Sequence, residues 1–373
     1  MNKFGLIAVP AIQGLCPYQP GKPESELERE LGLTNIVKLA SNENPLGPGP
    51  AAIDAVKNGL FNLSRYPDGS GHELKKGLAQ RLGVMPQQIT LGNGSSEVLE
   101  IIARVFLCAG REAVFSEYAF AMYPIFVQAA GAKARIAKAM SPDSGMPYGH
   151  DLEAMRSLVN DRTGLVFIAN PNNPTGTYVP ETSLYGFIES LPDHVICVVD
   201  EAYFEYVEQD DFPDTLGWLE RFPNLIVTRT FSKAYGIAGL RVGYAISDPE
   251  ISEMLNRIRQ PFNNNSIALN AALAALGDQE HLSKSRRFNQ SGLAFLTGAL
   301  KERSLDLIPS IANFLCVDVK RDSVRCFNEL LREGVIVRPL TSYHMPNHIR
   351  VTVGTPDQNA RFLSALDTIL SRV

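Results

Sequence analysis

Cysteine is scarce and scattered in this chain. Its 373 residues include five cysteines, and no two of them form a C-x-x-C pair. An odd number of dispersed cysteines does not fit the disulfide framework of a small secreted protein, nor the paired-cysteine pattern of a zinc site. We therefore predict a protein of a reducing compartment that has no disulfide framework and no metal.

Long apolar runs and excess positive charge are also missing. No apolar run is long enough to cross a bilayer, and the N-terminal apolar stretch is broken by Pro10 without a convincing signal-peptide cleavage site. The formal net charge of -5 argues against a general nucleic-acid or membrane-surface binder. These absences predict a cytoplasmic protein whose partners are small molecules, with no nucleic acid and no membrane.

What the chain does contain is an alternation of short apolar runs and amphipathic segments. Strands are predicted at 87–93, 164–170, 194–201 and 224–231. This alternation is typical of an α/β fold with a mostly parallel sheet covered on both faces. Beyond about residue 268 the pattern changes to an α+β arrangement. We predict an N-terminal arm and linker (1–45), a large domain (46–268) and a small C-terminal domain (269–373).

Polar residues follow the predicted strands at the points where those strands end. Asn173 follows the second run, Asp200 and Tyr203 lie at the end of the third, and Lys233 comes just after the fourth. The first run leads into G-S-S-E at 94–97, which opens a helix. Because ligands of parallel-sheet proteins bind at the carboxyl ends of strands, we expect these residues to share one pocket.

Each of these residue types has a function in one chemistry. A desolvated lysine such as Lys233 has a lowered pKa and can condense with an aldehyde, and an aspartate such as Asp200 can keep a pyridine nitrogen protonated. Backbone N–H groups at 94–96 can bind a phosphate, and Ser232 and Arg241 can add hydrogen bonds and charge. An amide and a tyrosine hydroxyl can bind a phenolic oxygen. Together they predict a pyridoxal 5'-phosphate site.

Several motifs then resemble a known family over nearly the whole chain. N-P-N-N-P-T-G (170–176), V-V-D-E-A-Y (198–203) and S-K-A-Y-G-I-A-G-L-R-V-G-Y (232–244) resemble the fold type I pyridoxal-phosphate aminotransferases. A further set is similar to the histidinol-phosphate aminotransferases within class II of that group: P-Y-Q-P-G-K-P (17–23), L-A-S-N-E-N-P-L-G (39–47), R-Y-P-D-G (65–69), L-G-N-G-S-S-E (91–97), G-V-I-V-R-P-L (334–340) and I-R-V-T-V-G-T-P-D-Q-N (349–359).

The resemblance implies a role for each matching residue at the cofactor. Lys233 would form the Schiff base and carry the proton between substrate and cofactor. Asp200 would pair with the ring nitrogen, and Asn173 and Tyr203 would bind the phenolic oxygen. The residues implied for the cofactor phosphate are Gly94, Ser95, Ser96, Ser232 and Arg241.

Other implied roles concern the face of the ring, the second subunit and the substrate. Phe120 is the best match for the aromatic residue stacked on the ring, and Tyr118 is the alternative. Tyr66 would reach the cofactor phosphate of a neighbouring subunit, which implies a homodimer with shared active sites. The residues implied for the acidic end of the substrate are Tyr18, Asn44, Arg338 and Arg350. Guanidinium groups suit phosphate and carboxylate alike.

The activity that the resemblance implies is transfer of the amino group of L-histidinol phosphate to 2-oxoglutarate, giving imidazole-acetol phosphate and L-glutamate, a step of histidine biosynthesis. An aromatic (Phe/Tyr) aminotransferase stays open as the alternative, as do a phospho-amino-acid decarboxylase and a regulator without turnover. Two departures from the family pattern flank the cofactor. Ser96 stands where an acidic residue is usual, with Glu97 next to it, and the segment 115–123 differs before the stacking ring.

Overall fold

The structure, a computed structural model, describes residues 4–372. In this part of the chain 13 strands form three sheets. The strands are β1 (Val37–Lys38), β2 (Ile89–Asn93), β3 (Glu112–Ser116), β4 (Lys133–Ala137), β5 (Thr163–Ala169), β6 (Ile196–Asp200), β7 (Leu225–Thr230), β8 (Val242–Ser247), β9 (Asp306–Ile308), β10 (Phe314–Asp318), β11 (Val335–Ile336), β12 (Arg338–Pro339) and β13 (His348–Thr352).

Within the same residues the structure has 12 α-helices. The helices are α1 (Glu24–Leu31), α2 (Pro50–Gly59), α3 (His72–Leu82), α4 (Ser95–Phe106), α5 (Met122–Ala129), α6 (Leu152–Ser157), α7 (Glu181–Glu189), α8 (Pro249–Ile258), α9 (Ser266–Gly277), α10 (Gln279–Glu302), α11 (Ser323–Arg332) and α12 (Pro356–Leu370). No helix of residues 4–372 is long and apolar enough to cross a membrane.

The large sheet has seven strands in the order β2-β8-β7-β6-β5-β3-β4. All neighbouring pairs are parallel except those made by β8, which runs antiparallel to both β2 and β7. The predicted α/β fold with a mostly parallel sheet is therefore confirmed. The register pairs Ala169 of β5 with Asp200 of β6, and Asp200 with Thr228 of β7, so the polar residues that end these strands lie side by side.

The central strands are rigid because they are buried on both faces. Every residue of β5 and β7 is buried, as expected of parallel strands that read as continuous apolar runs. Helix α4 turns its apolar side, from Val98 to Ala103, onto the same core. Each fully buried Val, Leu or Ile contributes about 1.5–3 kcal/mol. This core fixes the strand ends at which the polar residues gather.

The C-terminal part has its own antiparallel sheet, in the order β12-β13-β10-β9. A separate apolar cluster covers it and includes Leu296 of α10 and Phe362 of α12. Strand β1 pairs in parallel with β11, which ties the N-terminal segment to this part of the molecule. Arg338 and Arg350 are opposite each other in the β12–β13 ladder. The boundaries at 45 and 268 stay predictions.

Candidate active site

A cavity of about 480 Å³ lies at the carboxyl ends of β5, β6 and β7. Eleven of the predicted site residues line it: Tyr18, Ser95, Ser96, Phe120, Asn173, Asp200, Tyr203, Ser232, Lys233, Arg241 and Arg350. They come from distant parts of the sequence, and the strand ends bring them together. The expectation of one shared pocket therefore matches the geometry for these side chains.

Lys233 supplies the only lysine amine among the residues that line this cavity. Its Nζ donates to the backbone carbonyl of Ser41 at 3.1 Å and lies 5.6 Å from the ring centre of Tyr203. Burial, together with the positive charge of Arg350, lowers the pKa of Lys233 to about 7. A substantial fraction of this amine is therefore neutral near pH 7 and able to act as a nucleophile or a base.

Asp200 is a buried carboxylate held by hydroxyl groups. Tyr123 donates to Oδ2 and Thr228 to Oδ1, each at 3.0 Å. No lysine, arginine or histidine of residues 4–372 forms an ion pair with it. Burial raises the pKa of Asp200 to about 6, against the effect of these hydrogen bonds. Asp200 is therefore a buried carboxylate that can pair with a cation, and residues 4–372 do not supply that cation.

Two further polar side chains, Tyr203 and Asn173, line the same cavity. The hydroxyl of Tyr203 accepts a hydrogen bond from Asn42 Nδ2 at 2.8 Å, and burial raises the pKa of Tyr203 to about 12. Asn173 Oδ1 accepts from Arg350 Nη1 at 2.5 Å. Within the described residues the Asn173 amide nitrogen makes no hydrogen bond. Asn173 and Tyr203 can therefore both donate to an oxygen placed between them.

A phosphate-sized anion would fit at the start of α4. Ser95 and Ser96 are its first two residues, and N–H groups at these positions have no partner within a helix. Arg241 donates from Nη1 to Ser232 Oγ at 3.2 Å. A Cβ added at Gly94, which has φ +82°, would lie 2.1 Å from Arg241 Nη2. Gly94 therefore lets the arginine approach the helix, while its own N–H donates to Gly92.

Arg350 is the most unusual charge in the cavity. It is 6% exposed, and it donates to the carbonyl of Ala40 at 2.6 Å as well as to Asn173. Its buried Nε has no hydrogen-bond partner, and no carboxylate of residues 4–372 pairs with it. A buried guanidinium without a counter-charge is costly, and an anion bound beside it would reduce that cost.

Arg338 lies in an adjoining cavity of about 1150 Å³, which is lined in part by residues 14–23. Its guanidinium carbon lies 5.4 Å from the ring centre of Tyr18. Tyr18 lines both cavities. Tyr18, from the N-terminal segment, therefore lies where the two cavities meet, and a substrate role for Arg338 stays a prediction.

Two other predicted residues, Asn44 and Tyr66, lie outside the first cavity. Asn44 donates to the carbonyl of Ala234, the residue after Lys233, and to Ser285 Oγ, each at 2.9 Å. Its amide therefore holds the backbone next to Lys233. Tyr66 is 82% exposed and stacks on Phe262. The structure does not bring either residue to the cavity of its own chain.

The alternative between Phe120 and Tyr118 has a geometric answer. Phe120 lines the first cavity and packs edge-on against Tyr123, the residue that donates to Asp200. Tyr118 instead packs edge-on against Tyr148, with ring centres 5.4 Å apart. Of these two residues, only Phe120 lines the cavity, and its stacking on the cofactor ring stays a prediction.

Other residues of the site are missing from the sequence-based predictions. Tyr123 and Thr228 hold Asp200, and Asn42 contacts Tyr203. The strand register is the signal that could have identified Thr228, since it is the neighbour of Asp200 on β7. Glu97 accepts from Asn93 N at 2.5 Å and from Asn263 at 2.6 Å and does not line the cavity. We therefore expect that Glu97 does not take the place of an acidic residue at Ser96.

Comparisons with known proteins agree with this geometry. The profile of the family described as "Aminotransferase class I and II" matches residues 34–366. Histidinol-phosphate aminotransferase 1 of Nitrosococcus oceani is 54% identical over 98% of each chain, and histidinol-phosphate aminotransferase 2 of Methylococcus capsulatus is 56% identical, also over 98% of each chain.

Solved structures are similar over the same length. Histidinol-phosphate aminotransferase from Sinorhizobium meliloti, solved in complex with pyridoxal-5'-phosphate, has a TM-score of 0.88 at 29% identity, with 98% of both chains covered. A double mutant of Thermus thermophilus aspartate aminotransferase has a TM-score of 0.84 at 23% identity, covering 98% of this chain and 99% of that one, and bears on the fold alone.

These similarities identify the molecule at the level that they support. The sheet order, with a polar cavity at its carboxyl ends, defines a fold type I transferase. The chain belongs to the aminotransferase class I and II family, whose profile covers most of its length.

Proposed function

We propose that this protein is a pyridoxal 5'-phosphate-dependent aminotransferase that moves the amino group of L-histidinol phosphate to 2-oxoglutarate, yielding imidazole-acetol phosphate and L-glutamate in histidine biosynthesis. The observation that carries the proposal is a set of ionisable side chains around one cavity that form no ion pair within residues 4–372: Lys233, Asp200, Arg241 and Arg350. The relatives at 54% and 56% identity, which have this name, support the choice of substrate.

The cavity fits the cofactor at three points. Asp200 would hold the ring nitrogen, Asn173 and Tyr203 would bind the phenolic oxygen, and the start of α4 with Arg241 would bind the phosphate. Within residues 4–372 Asp200 has no cationic partner and Arg241 has no anionic partner. The ring nitrogen and the phosphate of the cofactor would supply these opposite charges. When bound, the cofactor would supply an aldehyde for amino-group transfer and a ring that accepts electrons.

Lys233 would then act as the base that moves a proton at the substrate carbon. Because its pKa is lowered to about 7, the amine can both take up a proton and release it near neutral pH. The carbonyl of Ser41 accepts from Nζ and so holds the amine at the cavity wall. Buried Asp200 stays ionised opposite a cationic ring nitrogen, since such a partner lowers a carboxylate pKa.

Arg350 would bind the acidic end of both substrates in turn. A guanidinium donates to two oxygens of a phosphate or of a carboxylate with similar geometry. The free Nε and the burial of Arg350 favour an anion that arrives with the substrate. Arg338 and Tyr18 would close the other side of that anion.

A homodimer is part of the same proposal. Tyr66, 82% exposed, lies close in sequence to Phe61 at 89% and Leu63 at 61% exposure, and large apolar side chains grouped on a surface mark an interaction site. In a dimer Tyr66 would reach the cofactor phosphate of the second subunit. A cytoplasmic location is proposed on the same footing, from the scattered cysteines.

The test is one half reaction without an acceptor. Protein loaded with pyridoxal 5'-phosphate is mixed with histidinol phosphate, or with phenylalanine, and the absorbance of the bound cofactor is followed. We expect rapid conversion with histidinol phosphate and little with phenylalanine. Comparable conversion by both would favour the aromatic aminotransferase, and release of carbon dioxide would favour the decarboxylase.

The dimer is tested by mixing two inactive variants, Tyr66→Ala and Lys233→Ala. Each mixed dimer would regain one intact site, because the lysine of one subunit meets the tyrosine of the other. We expect activity to return to at most about a quarter of the wild-type value, by the symmetry of random pairing. No recovery, with mixed dimers demonstrated by mass, would remove Tyr66 from the shared site.

A further inference from the structure

Asn42 is buried, 1% exposed, and forms hydrogen bonds to three different parts of the fold. Its Nδ2 donates to the Tyr203 hydroxyl at 2.8 Å, and its backbone carbonyl accepts from Asn313 at 3.1 Å. Its backbone N–H donates to Thr352 Oγ1 at 3.0 Å. Asn42 has φ +55°, a left-handed conformation in which asparagine and aspartate are enriched.

The direction of the Asn42 amide follows from its contact with Thr352. Thr352 Oγ1 accepts from the Asn42 N–H, so its own hydrogen is available for the Asn42 Oδ1 at 3.2 Å. The oxygen end of the amide therefore faces Thr352, and the NH₂ end faces Tyr203. An NH₂ group only donates, so the Tyr203 oxygen has to accept.

The hydrogen of the Tyr203 hydroxyl consequently has to point elsewhere. Within residues 4–372 this hydroxyl makes no other hydrogen bond, and Tyr203 lines the cavity. Burial raises the pKa of Tyr203 to about 12, while the Asn42 hydrogen bond lowers it, so the phenol keeps its hydrogen at neutral pH. That hydrogen is free for an acceptor bound in the cavity.

We infer that Asn42 is a positioning residue that turns the Tyr203 O–H toward the phenolic oxygen of the cofactor. The inference rests on the proposed function, because it names the acceptor in that cavity. Thr352 belongs to the same strand as Arg350, two residues away. The strand that holds the acid-binding arginine therefore also orients the group that binds the cofactor.

Asn42→Asp is the direct test, because aspartate has the same shape and also tolerates the left-handed backbone. Its ionised carboxylate can only accept, so the Tyr203 hydrogen turns to it and away from the cofactor. We expect the pKa of the visible absorbance of the bound cofactor to rise by about one unit and cofactor binding to weaken about tenfold, the effect of one hydrogen bond to a charged group.

Tyr203→Phe and the double variant separate orientation from charge. If Asn42 acts through Tyr203, Asn42→Asp adds no further shift in absorbance pKa when Tyr203 is already phenylalanine. A shift that persists in the double variant would overturn the inference, because the new carboxylate would then act on the cofactor through space. An unchanged absorbance pKa in the single variant would overturn it as well.

Asn42→Gly provides a second route should the aspartate variant fold poorly. Glycine tolerates the positive φ and removes the amide donor, so the absorbance pKa is expected to move in the same direction. An unchanged absorbance pKa in this variant would contradict the inference. The wild-type protein distinguishes the two proposals: absence of cofactor binding there would overturn the proposed function itself, whereas binding without the predicted variant shift would overturn only the role of Asn42.

Discussion

Asp200 and Glu201 are consecutive carboxylates at the end of one strand, and both are buried, yet their surroundings differ. Glu201 Oε2 accepts from Arg229 Nε and Nη2, each at 2.8 Å, and both side chains of this pair are nearly inaccessible. Asp200 accepts from the hydroxyls of Tyr123 and Thr228 and has no cationic partner in the described chain. Alternation along an extended backbone sends the two side chains to opposite sides.

The difference separates charges that stabilise the fold from charges that await a ligand. The Glu201–Arg229 pair is complete within the chain. Asp200 and Arg350 each hold a buried charge, and neither forms an ion pair within residues 4–372. Because an unpaired buried charge destabilises a protein, such groups are retained where a bound molecule completes them.

The largest effect is expected from Lys233→Ala. Loss of the amine removes the covalent link to the cofactor and the base, so turnover should fall by about 10⁴-fold or more. Borohydride reduction followed by peptide mass spectrometry should find the cofactor on Lys233 in the wild type. Lys301→Ala, on the last turn of α10, is the control and should keep full activity. Cofactor fixed to another lysine would contradict the assignment.

Glu201→Gln, which changes a charge that is paired within the chain, should chiefly reduce stability. It leaves Arg229 buried without its counter-charge, which typically costs about 3–5 kcal/mol. Urea unfolding at neutral pH measures this, with Glu189→Gln as the matched control. Glu189 pairs with Arg221 at 3.3 Å on the surface, and its loss should cost less than about 1 kcal/mol. Equal losses of stability in the two variants would contradict the distinction between the buried ion pair and the surface ion pair.

Arg350→Gln should show the opposite pattern. The KM for histidinol phosphate and for 2-oxoglutarate should rise about 10- to 100-fold, the effect of losing a charged hydrogen-bond donor. Stability of the cofactor-free protein should stay the same or increase, since a buried cation without a counter-charge is removed. Steady-state kinetics and urea unfolding give the two values. A less stable protein with unchanged KM would place Arg350 with the structural charges.

Glu97→Gln should have the smallest effect. Its carboxylate binds Asn93 N and Asn263 rather than the cavity. We expect a stability loss of about 1 kcal/mol and less than about a threefold change in cofactor affinity. Fluorescence titration of the cofactor-free protein with pyridoxal 5'-phosphate measures the affinity. A tenfold weakening would mean that Glu97 compensates for Ser96 after all.

The strand ends are the part of the molecule that sequence pattern predicts well. A buried parallel strand is a largely apolar run, and polar residues at its end or just past it mark the site, as at Asp200 and Lys233. The strands β3, β4 and β8 are absent from the predicted strands. The first four residues of β4, Lys133 to Ile136, are half-buried or exposed, so its pattern is weak.

Sequence pattern does not predict contacts between residues that are far apart in the sequence. Asn42 meets Tyr203 across 161 positions, and Arg350 meets Asn173 across 177. Such contacts depend on how the C-terminal sheet packs against the large one. The placement of Asn44 beneath Lys233, away from the cavity, follows from the same packing. The family resemblance indicates which residues matter, and the packing determines what each of them touches.

The most direct test of the comparison is the free energy of unfolding of the cofactor-free protein between pH 4 and pH 7, for the wild type and Asp200→Asn. Burial raises the folded-state pKa of Asp200 to about 6, so the folded protein binds more protons than the unfolded chain between about pH 4 and 6. Stability from this group is therefore present at low pH and lost as pH rises through that range.

Two pKa units correspond to about 3 kcal/mol. We predict that the wild type loses up to about 3 kcal/mol more stability than Asp200→Asn between pH 4 and pH 7. The variant is the reference, because buried Glu205 titrates in both proteins and its effect cancels in the difference. Pyridoxal 5'-phosphate should restore most of the loss in the wild type. Parallel pH profiles for the two cofactor-free proteins would contradict the claim that Asp200 is a buried charge held for a ligand.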